Sequence, residues 1–370
     1  MTSNIKLNKT INNLAKLIQS YDLLLAIIIA VLITVIGLVL GFENNKVVPV
    51  NPASTAHYLG EPNNILKFMV NWDGPNYISI AKNGYQSIIQ TNFFPLYPLL
   101  IRAFNTVLHS YINASLIISF LSFIGAIYFY IKIIKKRYSL KNIHEIIKAV
   151  LLFALFPTSV FMFSAYTEGL FAFLALVSIY LVLSNKFFLA CLPLILLGMT
   201  HVNASFVIAM LMIIMYEKRQ PIYKILIFGA ISGLGFIGYM VYLKNRFGNY
   251  LAFLSAQKHH SWLNLSLSHL FNGVLSRDGL FFILLVITFL YWWKKQKSFS
   301  IYTLFYIIVA FFTNNSFSGL ARYSLMAFPI ELMLYEYFKD KKTSYLIVII
   351  ISTILWAYFV MQYAGGYTGG

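Results

Sequence analysis

Acidic charge is what this chain has least of. Only 11 of its 370 residues are Asp or Glu, against 28 Lys and Arg, and charged residues together make up 11%. A soluble domain is about one quarter charged, so an ordinary water-facing surface is excluded. Apolar residues fill the gap, at 59% of the chain with 17% aromatic, and mean hydropathy is +0.75. Cysteine is nearly missing as well: the lone Cys191 rules out an intramolecular disulfide and any Cys-based metal cluster. Internal repeats and low-complexity tracts are also lacking. The net charge of +17 is scattered between apolar spans rather than gathered on one face, which speaks for membrane topology and against nucleic acid as a partner.

What remains is an all-α polytopic membrane protein, read as one domain over 1–370. Residues 1–20 form a polar lead-in, and 22–41 form a first span too long for a signal-peptide core, expected to be a retained anchor. Residues 42–92 make a large first external loop. The stretch 93–108, interrupted by Pro95, Pro98 and Arg102, reads as a short helix dipping into the bilayer. Spans are expected at 112–133, 148–164, 168–184, 224–243, 278–293, 299–313, 322–338 and 344–362, for a bundle of about eleven membrane segments. The stretch 187–215 is too short for two full crossings of about 20 residues each. Thr200-His201-Val202-Asn203 interrupts it, so it is either one long helix or two half-helices meeting inside the bilayer. The final Ala-Gly-Gly-Tyr-Thr-Gly-Gly reads as a frayed tail.

Most of the 28 Lys and Arg fall in 1–20, 131–148, 184–187, 216–224, 294–297 and 339–342 when the N-terminus is inside and 187–215 is a hairpin. That topology sends Asp73, the Tyr166-Thr167-Glu168 turn, His201, the Gln257-Lys258-His259-His260 loop and Arg322 to the same non-cytoplasmic face. Polar groups at membrane depth are costly, so several converging on one face mark a candidate cavity.

The most distinctive stretch runs from Asn71-Trp72-Asp73-Gly74-Pro75-Asn76-Tyr77 to Gly84-Tyr85, then Phe93-Phe94-Pro95-Leu96-Tyr97-Pro98. Asp73 stands where a helix N-cap belongs, Pro75 fits the first turn and Gly84 the position after the last. Asp73 is therefore either a cap or a reactive carboxylate. Each other candidate also has two readings. Glu168 complements a helix dipole or binds a sugar or acceptor. His201 and Asn203 pack at the helix break or face a cavity. Gln257, Lys258, His259 and His260 belong to a wet interfacial loop, or the cations among them hold a phosphate. Adjacent histidines without companions do not make a metal site. Arg322 snorkels to the interface, or grips a lipid-linked phosphate with its planar fork.

One carboxylate with converging cations is the minimum for moving a sugar off a polyprenyl phosphate. A base takes the acceptor proton, and positive charge holds the departing phosphate. No acid is needed at the leaving side, unlike the two-carboxylate glycosidases.

These motifs resemble the PIG-V-like mannosyltransferases, that is, GPI mannosyltransferase II and its prokaryotic relatives in the GT-C superfamily. The likeness continues through Phe156-Pro157-Thr158-Ser159-Val160-Phe161 to Tyr166-Thr167-Glu168-Gly169-Leu170-Phe171. It extends to Arg246-Phe247-Gly248 with Leu251-Ala252-Phe253, Ala256-Gln257 and Trp262, and to Arg322-Tyr323 with Phe328-Pro329, covering roughly 70–330. The chain departs from the family pattern at Thr200-His201-Val202-Asn203-Ala204, where an Arg-Ser-Asn-Gly-like turn is usual, and at Gly169, usually serine.

The resemblance implies an inverting, metal-free GT-C enzyme with no cofactor, using a dolichyl- or polyprenyl-phosphate-linked mannose, with a glycolipid or glycan as acceptor. Asp73 is then the base, and Arg322, Lys258, His259 and His260 contact the donor phosphate. Trp72, Tyr77, Arg102, Glu168, His201, Asn203 and Gln257 line the substrate cavity. The expected location is the plasma membrane of a prokaryote or the endoplasmic reticulum of a eukaryote. Two alternatives stand beside it: a transporter or flippase of polyprenyl-linked glycans, and a noncatalytic relative that binds lipid-linked sugar.

Overall fold

A computed structural model describes residues 2–48, 50–51, 54, 60–259, 273–312, 317 and 319–368. Among them the chain is all helix, with no strand. In order come α1 (Thr2–Val47), α2 (Asp73–Asn83), α3 (Leu96–Leu108), α4 (Tyr111–Tyr138), α5 (Ile143–Ala154), α6 (Val160–Phe163), α7 (Glu168–Leu183), α8 (Phe187–Gly198) and α9 (Ala204–Glu217). They are followed by α10 (Ile222–Ser232), α11 (Leu234–Phe247), α12 (Ala252–His259), α13 (Gly279–Trp293), α14 (Lys297–Phe312), α15 (Leu320–Ser324), α16 (Pro329–Phe338) and α17 (Lys342–Ala364).

Of the eleven expected segments, three are single helices long and apolar enough to cross a bilayer: Tyr21–Val47, Tyr111–Tyr138 and Lys342–Ala364. A fourth crossing is added if α10 and α11, bent by 41° at their break, count as one span. The expected span 224–243 is thus two helices. The expected 148–164 and 322–338 are not continuous either. The first stops at Ala154 ahead of Pro157, and the second is split between Ser324 and Pro329. Proline lacks the amide proton an interior helix position needs and disfavours a helical residue before it. The stretch 187–215 is likewise two helices, parted at 199–203, and the Met199 carbonyl there accepts from the Leu96 amide at the start of α3. At 13 residues α3 is about 20 Å long, short of the roughly 30 Å hydrocarbon core.

Helix α4 is the hub, packed against α1, α3, α5, α6 and α7. Its start is fixed by charge. Glu61 accepts from the Tyr111 amide at 2.9 Å and from the Ser110 hydroxyl at 2.5 Å, placing a carboxylate on the positive end of the helix dipole. At its other end Lys132 and Lys135 reach Asp22 of α1 at 3.0 and 2.8 Å, and Asp22 is only 5% exposed.

Two expectations about non-helical chain are corrected. The non-helical chain after the first expected span begins later than residue 42, because α1 continues to Val47. The tail is not frayed through Thr368. The Tyr363 and Ala364 carbonyls accept from the buried Asn71 amide at 2.7 and 3.3 Å, the Gly365 carbonyl accepts from Asn51, and Thr368 is bonded to Arg277. Asn71 precedes Trp72 and Asp73, so the C-terminal segment anchors the loop that carries the leading motif.

Candidate active site

Asp73 is the first residue of α2, and its carboxylate does not cap that helix. The residue in the capping position is Trp72, which makes no side-chain cap bond. Gly84 closes α2 with φ +71, where the sequence places it; an L side chain there would be strained. Trp72 itself has φ +55 and ψ −99, a combination that costs a non-glycine residue of order 1–3 kcal/mol and persists only where the surroundings enforce it. Here they do. Its amide donates to the Ser54 carbonyl, and the next amide, of Asp73, donates to the Tyr166 hydroxyl at 3.3 Å. The strained turn swings the Asp73 carboxylate away from its own helix.

That carboxylate meets Arg322, whose Nη1 lies 2.5 Å from Asp73 Oδ2. The same guanidinium is ion-paired through Nε with Glu168 Oε1 at 3.3 Å. The three come from the start of α2, the start of α7 and the middle of α15, separated by 95 and 154 positions in sequence. Tyr166 and Tyr323 rings flank the guanidinium with centroids at 5.3 and 5.1 Å, and the Tyr323 hydroxyl accepts from Nη2. Exposure separates the two carboxylates. The Asp73 side chain is 29% accessible and Arg322 12%, whereas Glu168 is 2%. Asp73 can meet a substrate; Glu168 stands behind the arginine.

Tyr77, one helical turn after Asp73, is buried, and its hydroxyl is 3.3 Å from Thr167 Oγ1, which in turn donates to Glu168 Oε2 at 3.5 Å. Burial, with the Asp73 and Glu168 charges adding to it, holds the Tyr77 hydroxyl well above its ordinary pKa, so it remains a donor. His201 sits among the rings of Phe94, Phe171 and Tyr323, at 6.5, 6.2 and 5.9 Å, and so reaches the site through Tyr323.

Other expected lining residues lie elsewhere. Asn203 is buried with its amide on Met326 Sδ at 3.6 Å, not among the carboxylates. Arg102 donates to the Ala81 carbonyl at 2.6 Å and the Lys82 carbonyl at 3.5 Å, holding the far end of α2. There it borders a separate cavity of about 580 Å³ with Ile80, Tyr85, Pro98, Met199, Tyr239 and Tyr242. Phe94 stands between, with its ring 4.6 Å from Tyr239 and stacked on His201. Gln257 is half-buried on α12, whose Phe253 packs against Phe94. The side chains of Lys258 and His259, and all of His260, lie outside the described residues. No group of three or more metal-ligating side chains occurs among the described residues.

The sequence reading overlooked Asp278. It is 3% exposed, pairs with Arg277 at 3.2 Å, and accepts from the Gly319 amide at 3.0 Å, three residues ahead of Arg322. Thr158 adds a bond to the Ala321 carbonyl at 2.9 Å. Together they fix the short helix that presents the guanidinium. The scarcity of acid was the available signal: in a chain with 11 carboxylates, one at the edge of an apolar run calls for a partner.

No curated protein matches the chain. A family model, mannosyltransferase (PIG-V), matches residues 14–232, more than half of the sequence and including both Asp73 and Glu168.

Proposed function

The chain belongs to the PIG-V mannosyltransferase family, and from that premise we propose that it transfers mannose from a dolichyl- or polyprenyl-phosphate donor. The acceptor is a lipid- or protein-linked hydroxyl on the non-cytoplasmic face. The enzyme is of the GT-C type, a bundle of about eleven membrane segments working without metal. The observation that carries this reading is the meeting of Asp73, Arg322 and Glu168 at one partly open point.

Transfer is a single displacement. The acceptor oxygen bonds to the anomeric carbon as the bond from that carbon to the phosphate oxygen breaks, and the electron pair leaves with the phosphate. Asp73 takes the acceptor proton, and Arg322 holds the charge on the phosphate as it builds. Attack from the face opposite the leaving group inverts the anomeric centre, and a lone exposed carboxylate serves that route. The aromatic, largely apolar cavity beside Arg102 suits part of an isoprenoid chain, with the sugar end directed past Phe94 toward Asp73.

Purified protein in nanodiscs with radiolabelled polyprenyl-phosphate-mannose tests the proposal. Wild type should release and transfer mannose with or without chelator, and Asp73→Asn should do neither while remaining folded. Full activity in Asp73→Asn would sink the assignment of the base. Binding without turnover by wild type, across several donors and acceptors, would favour a transporter or a noncatalytic relative.

A further inference from the structure

Both chemical tasks at this site draw on the same contact. Asp73 needs a free lone pair aimed at the acceptor hydroxyl, yet Oδ2 is engaged by Arg322 at 2.5 Å. Arg322 needs to face a phosphate, yet its Nη1 is committed to Asp73 and its Nε lies 3.3 Å from Glu168 Oε1.

We propose that the phosphate of the lipid donor and Asp73 compete for Arg322, and that Glu168 is the positioning residue that retains the guanidinium during the exchange. This rests on the transfer reaction proposed above. With donor absent, Arg322 occupies the base. As the phosphate arrives it takes over Nη1, and the Asp73 carboxylate is released next to the sugar it must serve. Glu168 is suited to hold the pivot. It is 2% exposed, is bonded by Thr167, and sits on the Nε edge of the guanidinium, away from the more open Asp73 edge. The Tyr166 and Tyr323 rings confine the guanidinium between them, so it can shift without leaving the site. The base is thereby freed only when a phosphate is in place, which orders donor binding ahead of acceptor deprotonation.

The consequence is counter-intuitive for a catalytic residue. Removing the Asp73 charge should strengthen phosphate binding, because the competitor is gone. Replacing the Glu168 carboxylate should not, because Asp73 still holds Nη1 and the phosphate still has to displace it. Both substitutions replace a carboxylate of the trio with an amide, so they separate loss of the competitor from loss of a neighbouring carboxyl group.

The experiment measures binding of a radiolabelled polyprenyl monophosphate to the full chain in nanodiscs, for wild type, Asp73→Asn and Glu168→Gln. Asp73→Ser stands in if Asn at that position does not elute as folded protein. The expected result is binding roughly two- to fivefold tighter for Asp73→Asn, on the scale of one partly exposed ion pair. Glu168→Gln should bind no tighter than wild type and show a lowered kcat with its donor KM at or above the wild-type value. Equal tightening in both variants, or none in Asp73→Asn, would overturn the competition. The outcomes stay distinct from those of the transfer reading. Wild-type turnover with unchanged binding in Asp73→Asn sinks this inference alone, and the expected binding pattern without any wild-type turnover sinks the transfer reaction alone.

Discussion

Adding one methyl group at Gly169 should both loosen the fold and damage the site. Gly169 follows Glu168 in the first turn of α7 and is buried. A β-carbon there would overlap the Met162 carbonyl oxygen and lie 3.1 Å from the Met162 carbonyl carbon and 3.2 Å from the Ser119 carbonyl oxygen. Ordinary contacts to carbon lie near 3.5–4.0 Å. None of these atoms is the end of a flexible side chain: one carbonyl belongs to α6 and the other to the interior of α4. Overpacking of this kind costs about 1–3 kcal/mol. One backbone overlap with further tight backbone contacts belongs toward the upper end, and the helix preference for alanine returns at most about 1 kcal/mol. The net expectation for Gly169→Ala is about 2 kcal/mol of destabilisation, seen as an apparent melting temperature lower by roughly several degrees in detergent. Relieving the overlap moves the start of α7, and with it Glu168, whose ion pair with Arg322 is already 3.3 Å long. Mannose transfer should therefore fall along with stability. Gly169→Ser should be no better, although serine is usual in the family pattern, because the limiting contact is with the β-carbon itself. Gly238→Ala is the control for stability, since a β-carbon there meets nothing within 4 Å. Wild-type melting and activity in Gly169→Ala would show that the α6–α7 turn yields freely, and the reasoning from backbone contact would fail.

Two further substitutions test buried charge. Glu331 on α16 is fully buried, and neither carboxyl oxygen has a hydrogen-bond partner among the described residues. Exchange for an apolar residue of similar volume, Glu331→Met, should stabilise the protein by about 1–3 kcal/mol in thermal unfolding; a drop in melting temperature would mean that the carboxyl is satisfied after all. Asp22→Asn should act in the opposite direction, because it leaves Lys132 and Lys135 together without their shared anion. Both lysines keep about a fifth of their side-chain surface exposed, so the loss is set at about 1–3 kcal/mol, below the full penalty of a completely buried pair. Unchanged stability on thermal unfolding would show that the two ammonium groups reach water unaided.

Composition and the period of apolar residues suffice to make this chain a helical membrane protein, because a segment with few charges has to satisfy its backbone internally and bury itself in lipid or protein. The ordered motifs around Asp73, Glu168 and Arg322 were also legible, and they pointed to the family that the match over residues 14–232 shows. Local sequence misjudged where helices stop. The proline positions in 148–164 and 322–338 were visible, but hydropathy averaged across them and ran the spans through. Arg102 and Asn203 looked alike to Glu168 and Arg322 as polar residues within apolar stretches, and nothing in one dimension says which of them share a point in space.

Only the tertiary structure decided that question. The Asp73 side chain looks like an N-cap until Arg322, 249 residues further on, is brought to its carboxylate. Glu168 looks no different from Asp73 along the chain until its burial behind that arginine is seen. The C-terminal glycines look like loose chain until Asn71 is found bonded to the Tyr363 and Ala364 carbonyls beside them. The physical reason is the same in each case. Secondary structure and membrane insertion are governed by neighbours along the chain. The charge state and accessibility of a carboxylate are governed by groups within a few ångströms, and here those groups come from the start, the middle and the end of the sequence.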